Sequence, residues 1–364
     1  MGEEDVISMT QKRVMPKDLR DFCAAAMVKG GLTPRDAALS AEIFTTTDAW
    51  GTHSHGTRQI QPLMRNVRDG RIDPGATPAI VGEGPAWAIV DGRRAMPTIV
   101  ASWSMEQAMR KAKEAGIGYV GVRGSNHFGA AGCYATMALR NDMIGMAMTN
   151  TDPWMTVPGG RSPVLGTNPI AFVVPAGEER PIFLDIATSE AAVTKVLIAK
   201  ALGKAVPEGW LVDEDGLPST DPSQYPEKRA LLPMAPTHKV YGLALLVETL
   251  TAALSGAAML SQVGFWLSDV PIPPNQGHAF LAIDVPAVMP IQTFKERIDW
   301  MIREIKKAPL AKGAERIWLP GEMEWERQEA ALRDGMQLPD YVVVNLVGLA
   351  EDVGMLPELK AIFR

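Results

Sequence analysis

Two of the chain's five histidines stand two residues apart between glycines, in Gly51-Thr52-His53-Ser54-His55-Gly56-Thr57-Arg58. Imidazole titrates close to neutrality, so it serves as general acid, general base or metal ligand. Flanking glycines let the backbone approach a ligand. Two chemistries fit the pair. His-x-His can supply two ligands to the metal of a hydrolase, but that needs further ligands, and the sequence has no His-Glu-x-x-His and no cysteine pair. No metal is therefore expected. Alternatively, one ring moves a proton, which calls for an orienting partner and an anchor for the substrate. Ser54 and Arg58 are the local candidates for those two roles. The other three histidines, His127, His238 and His278, also fall in or beside turn-like sequence.

A second candidate site is Val120-Gly-Val-Arg-Gly-Ser-Asn-His127-Phe128-Gly129-Ala-Ala-Gly132. A strand, a glycine turn and a helix start make a cradle for an anion such as a phosphate. The spacing is not Gly-x-Gly-x-x-Gly, and no acidic residue follows at the usual distance, which excludes a standard Rossmann fingerprint. Leu165-Gly-Thr167-Asn-Pro reads as a turn before a strand. In Leu184-Asp185-Ile186-Ala187-Thr-Ser, Asp185 ends an apolar strand, where a carboxylate can orient a histidine.

These segments have to be held by regular elements. Pro16 to about Lys29 has helical apolar spacing and stops at Gly30-Gly31; Thr33-Pro34 then caps a second helix running toward Trp50. Strands are expected at 87–90, 117–122, 143–148, 170–174, 182–185 and 279–285, with helices through about Ala115 and from Ala130 to about Arg140. Alternating strands and helices imply an α/β sheet. The C-terminal third is helical again, around 294–307, 324–333 and near the end, and the Pro- and charge-rich stretch 204–237 reads as a long surface excursion. The expected division is a helical segment over 1–75, an α/β dinucleotide-binding domain over 76–288, and a helical segment over 289–364 packing with the first.

Composition narrows the function classes. The 364 residues are 46% hydrophobic and 21% charged, as in ordinary globular proteins. Net charge is −6 without a basic run, which argues against a nucleic-acid partner. The acidic start carries no signal-peptide pattern. The apolar region 242–267 is interrupted by Glu248 and small polar residues, which suits a buried helix and not a membrane span. Two cysteines without metal-ligand spacing fit a reduced, cytoplasmic setting.

Taken in order, Asp48-x-x-Gly-x-x-Ser54-His55-Gly56, Ser-Asn-His127-Phe-Gly, Thr151-Asp-Pro, Gly166-Thr-Asn-Pro, Leu-Asp185-Ile-Ala-Thr-Ser, Lys239-x-Tyr-Gly, Asn275-x-Gly-His and Leu-Pro-Gly321-Glu resemble the malate/L-lactate dehydrogenase family. This is the second, non-Rossmann type, which also holds ureidoglycolate and sulfolactate dehydrogenases, diketogulonate reductase and the cyclic ketimine reductases. The resemblance runs from about residue 16 to 340. It implies an NAD- or NADP-dependent oxidoreductase of unusual α/β fold, with a non-Rossmann cofactor-binding sheet flanked by a helical domain, usually a homodimer. It implies that His55 is the acid/base, with Ser54 and Asp185 as relay partners and His127 as a second proton acceptor. It makes His127, Phe128, Gly129, Asp152, Asp185, Ile186, Ala187, Lys239, Gly277, His278, Pro320, Gly321 and Glu322 cofactor-contacting, and Thr167 substrate-contacting. The implied substrate is a small 2-hydroxy/2-oxo acid, with a cyclic 2-imino acid as the alternative. The chain departs from the family in four places. An arginine common four residues after the histidine is Gln59, with Arg58 one earlier; Leu63 replaces a tyrosine; Thr194 and Val240 replace glycines.

Overall fold

The computed structural model describes residues 9–235, 238–267 and 274–364. The ends of the N-terminal segment (1–8) and of the 204–237 stretch (236–237) lie outside the described residues.

Two helices open the fold. Helix α1 (Pro16–Lys29) has proline at its first turn and buries Leu19, Phe22, Cys23, Ala26 and Met27 on one stripe. Helix α2 (Pro34–Ala49) starts at Thr33, whose hydroxyl accepts the Asp36 amide at 3.2 Å. Two 3₁₀ turns, His53–His55 and Thr57–Gln59, follow directly and feed helix α3 (Ile60–Arg68).

The sheet begins with β1 (Ala79–Gly84) and β2 (Trp87–Asp91), then helix α4 (Pro97–Ala115) and β3 (Ile117–Ser125). Short helix α5 (Ala131–Ala135) precedes β4 (Met143–Thr149), β5 (Ile170–Val174) and β6 (Ile182–Ile186). After α6 (Val193–Ala201) come the two-residue strands β7 (Leu211–Val212), β8 (Pro218–Ser219) and β9 (Ala230–Leu231), helix α7 (His238–Glu248) and β10 (Gln276–Asp284). The seven long strands lie in the order β1-β2-β3-β10-β4-β5-β6. Only β2 and β3, joined through α4, are parallel; every other pair is antiparallel. The sheet is thus α/β in composition and mostly antiparallel in pairing, because β4, β5 and β6 follow one another without crossover helices.

The 204–237 stretch is not a surface excursion. Strands β7, β8 and β9 form a second sheet, and Tyr225, Leu211 and Leu231 are fully buried against Met155, Val196 and Ala244. Its prolines and charges lie around this small core.

Helices α8 (Ile291–Lys306), α9 (Glu322–Asp334), α10 (Asp340–Asp352) and α11 (Leu356–Ile362) complete the chain. Residues of α10 and α11, among them Val342, Val343, Leu346 and Leu359, share one core with α1, α2 and α3. Val14 bridges both Met336 and Phe363. Helix α8 instead serves the sheet: Asp299 accepts the amides of Gly177, Glu178 and Glu179 in the β5–β6 turn. Among the described residues no helix is long and apolar enough to cross a membrane.

Candidate active site

The histidine turn is laced by Asp48, buried in the last turn of α2. One carboxylate oxygen accepts from His53 Nδ1 at 2.9 Å; the other accepts the Thr57 amide at 2.9 Å and its hydroxyl at 2.6 Å. Accepting from Nδ1 fixes the His53 tautomer and commits that ring to structure. A Cβ on Gly56 would fall 2.2 Å from the Asp48 carboxylate, so only glycine allows this closure. Gln59 donates its side-chain amide to the Ser54 carbonyl at 2.6 Å. With the turn fixed, the Ser54 hydroxyl pairs with His55 Nδ1 at 2.8 Å, and His55 faces the other way.

It faces His127. The two rings stand 5.6 Å apart and are inclined by 23°; Trp266 stacks on the far side of His127 at 4.4 Å. The Gly129 amide donates to His127 Nδ1 at 3.3 Å, which leaves the proton of the neutral ring on Nε2. Both rings line a cavity of about 500 Å³, a size usual for small-molecule sites. Burial, and secondarily the Arg58 cation, lowers His55 to about 4. Burial holds His127 well below the usual imidazole value, with His55, Arg58 and His278 adding to the effect.

Arg58 enters the same cavity. Its guanidinium lies 5.5 Å over the Tyr341 ring, Nη1 donates to Thr194 Oγ1 at 3.4 Å, and Nε is buried without a hydrogen-bond partner among the described residues. Two carboxyls complete the wall. Asp185 accepts the Gly132 amide at 2.8 Å, and burial raises it to about 6; burial raises Asp152 to about 7. No hydrogen bond joins Asp185 to Ser54 or His55. Thr167 lies alongside, its amide donating to Thr151 Oγ1 at 3.0 Å and its carbonyl accepting from Thr188.

Of the residues singled out in the sequence, His55, Ser54, Asp185, His127, Arg58, Thr167, Phe128, Gly129, Asp152 and Ala187 meet at this cavity. The others lie off it. Ile186 pairs with Ile170 inside the sheet, and Lys239 is exposed in the first turn of α7. Gly277 gives its amide to Asn150 at 2.9 Å. His278 is fully buried, stacked on Phe128 at 4.4 Å, between Thr149 Oγ1 at 2.7 Å and Ser125 Oγ at 2.9 Å. The Thr149 hydroxyl spends its hydrogen on backbone carbonyls, so His278 donates from Nδ1 and accepts at Nε2. Pro320 accepts the Phe183 amide at 3.2 Å, and Glu322 pairs with Lys306 and Arg316. Sequence reasoning missed Tyr341, Trp154 and Trp266, which line the cavity but lie outside the quoted motifs, and Gln276, which stands unnamed inside Asn275-x-Gly-His. Among the described residues no group of three or more His, Cys, Asp or Glu is placed to hold a metal ion.

A cavity with paired imidazoles, one guanidinium and two carboxyls titrating near neutrality can bind a small anion and move its proton. Comparison with known proteins identifies the family. The family model for malate/L-lactate dehydrogenase matches residues 14–347. The chain is 35% identical to a malate dehydrogenase of Pyrococcus horikoshii over 98% of its own length and 99% of the relative's. It is 30% identical to a Delta(1)-pyrroline-2-carboxylate/Delta(1)-piperideine-2-carboxylate reductase of Pseudomonas putida, over 95% and 98% of the two chains. The solved structure of sulfolactate dehydrogenase from Methanocaldococcus jannaschii superposes with a TM-score of 0.86 at 34% identity, covering 94% of this chain and 98% of that one. Matched in sequence and in fold along nearly its whole length, the chain belongs to the malate/L-lactate dehydrogenase family and is an oxidoreductase.

Proposed function

We propose that the protein transfers a hydride between the nicotinamide of NAD or NADP and carbon 2 of a small 2-hydroxy/2-oxo acid. The observation that carries this reading is His55, fixed by Ser54, facing His127 in the cavity that Arg58 enters. The residues present suit a nicotinamide: the cavity has a broad apolar wall, and the buried Gln276 amide on it has no partner among the described residues. When bound, the nicotinamide supplies or takes the hydride. Loop residues His127, Phe128 and Gly129, with Asp152, Asp185 and Ala187, hold the dinucleotide; Arg58 and Thr167 hold the acid.

The chain's own residues handle the anion and the proton. Arg58 grips the substrate carboxylate. Lowered to about 4, His55 is neutral at physiological pH and accepts the hydroxyl proton when a 2-hydroxy acid is oxidised. In the reducing direction, a carboxylate on Arg58 offsets the smaller of the two causes that lower His55, and the proton that the ring carries passes to the developing alkoxide. Ser54 keeps Nδ1 engaged, so Nε2 is the working nitrogen.

The relative from Pseudomonas putida supports a second reading, reduction of a cyclic 2-imino acid, in which His55 protonates nitrogen in place of oxygen. Turnover of pyruvate, oxaloacetate and piperideine-2-carboxylate with each nicotinamide separates the two. In the same screen, His55→Leu should lower kcat by about 10²–10⁴-fold while dinucleotide binding is retained. Intact turnover in that folded variant would overturn the mechanism.

At the scale of the chain, residues 1–75 and 289–364 serve as helical cover and 76–288 as the dinucleotide-binding unit. The working form is a cytoplasmic homodimer without nucleic-acid or membrane partners. Helix α7 supports the dimer, since Leu243, Leu245 and Leu246 are 42%, 41% and 47% exposed.

A further inference from the structure

Gln276 opens β10 and lines the cavity. Its side chain is 1% exposed, yet neither Oε1 nor Nε2 has a hydrogen-bond partner among the described residues. A buried amide unpaired at both ends is rare, because its lost hydrogen bonds to water go uncompensated. The surroundings are not loosely built. Asn275 Oδ1 accepts the Gly124 amide at 2.8 Å, Asn150 bonds Gly277 and Ala258 at 2.9 and 2.8 Å, and both nitrogens of His278 are engaged. The backbone is also fixed. Gln276 pairs with Ser125 and His278 with Val122, so β3 carries one extra residue between the two pairs. An irregularity of this kind re-aims the side chains beside it.

We propose that Gln276 receives the carboxamide of the nicotinamide ring, amide against amide. A primary carboxamide presents one carbonyl acceptor and one NH₂ donor, the complement of an unpaired glutamine. A 2-oxo acid offers acceptors alone and would leave Gln276 Oε1 without a donor. The other source of the same chemistry is an amide or urea group on the substrate. The inference rests on the reading that this cavity takes a nicotinamide dinucleotide.

The test is binding without turnover, by calorimetric titration of the full chain. The ligands are NADH, NADPH, ADP-ribose, and the reduced dinucleotide whose carboxamide is replaced by acetyl. Gln276→Leu should weaken the preferred reduced dinucleotide about tenfold, the scale of one to two lost hydrogen bonds. It should leave ADP-ribose within about twofold and abolish discrimination against the acetyl analogue. The substitution removes an unpaired buried amide, so the ligand-free melting temperature should rise. Gln276→Glu keeps the shape and the acceptor for the carboxamide NH₂ but has no donor for the carbonyl, so it should weaken both dinucleotides while keeping discrimination against the acetyl analogue, which covers the case in which Gln276→Leu misfolds. Equal weakening of ADP-ribose or unchanged NADH and NADPH affinity would overturn the assignment. So would a loss confined to an amide-bearing substrate such as ureidoglycolate. Wild-type protein that binds neither NADH nor NADPH would instead overturn the dinucleotide reading itself.

Discussion

Arg58 reaches the cavity from the turn after His55 and meets Thr194 from α6 and Tyr341 from α10. Its buried Nε has no partner among the described residues, which costs about 1–3 kcal/mol that a bound carboxylate would relieve. Arg58→Ala should therefore raise KM for a 2-oxo acid about 10- to 100-fold, the scale of a charge-assisted hydrogen bond. An unchanged KM would mean that another group binds the carboxylate. The same substitution has a pH signature. Burial first and the Arg58 cation second hold His55 down to about 4. Without the cation the imidazole keeps its proton to higher pH. The acid limb of kcat/KM for 2-hydroxy acid oxidation, which needs the free base, should shift upward. The family departures also become intelligible. Gln59, in the usual arginine position, is buried and bonds the Ser54 carbonyl, and Leu63 is fully buried in the terminal core. Thr194, in place of a glycine, is the acceptor for the displaced arginine. His55 and Ser54 could be read from the sequence because they are adjacent and flanked by glycine. Tyr341 and Gln276 could not, since what brings them to the cavity is packing with residues far away along the chain.

The helices and strands themselves were largely visible. Proline at the first turn of α1 and Thr33 before α2 gave the starts, and β5 falls where its apolar run lies. Strand order was not visible, because β10 inserts between β3 and β4, a pairing set by packing across the sheet and not by any local signal. Nor was the small β7-β8-β9 sheet, whose two-residue strands are too short for periodicity. At the start of α9, Gly321 has φ +93°, and a Cβ there would lie 2.7 Å from Phe183 Cβ and 2.9 Å from its carbonyl. This segment, implied by resemblance to touch cofactor, packs on β6 and on Lys306 and Arg316. Gly321→Ala should lower stability by about 1–3 kcal/mol, measured by thermal denaturation. Stability equal to wild type would mean that α9 can shift off β6 without strain.

Among the described residues, the three larger cores lie around the cavity: the terminal helices, the long sheet, and the small sheet with α6 and α7. The leucines on α7 form an apolar face that is exposed among the described residues of a single copy. If that face joins two copies of the 39.3 kDa chain, Leu246→Glu should shift the mass in sedimentation equilibrium from two chains toward one. A wild-type chain that sediments as a monomer would rule out the dimer.

Val14 is paired with both Met336 and Phe363, and Tyr341 forms part of the cavity wall. A growing polypeptide therefore cannot close this cavity until α10 has been made. Helices α1 and α2 emerge from the ribosome long before α10 and α11, and their apolar stripes wait unshielded for them. A stop codon just ahead of α10 would remove the aromatic ring over Arg58 and the roof of these two helices together.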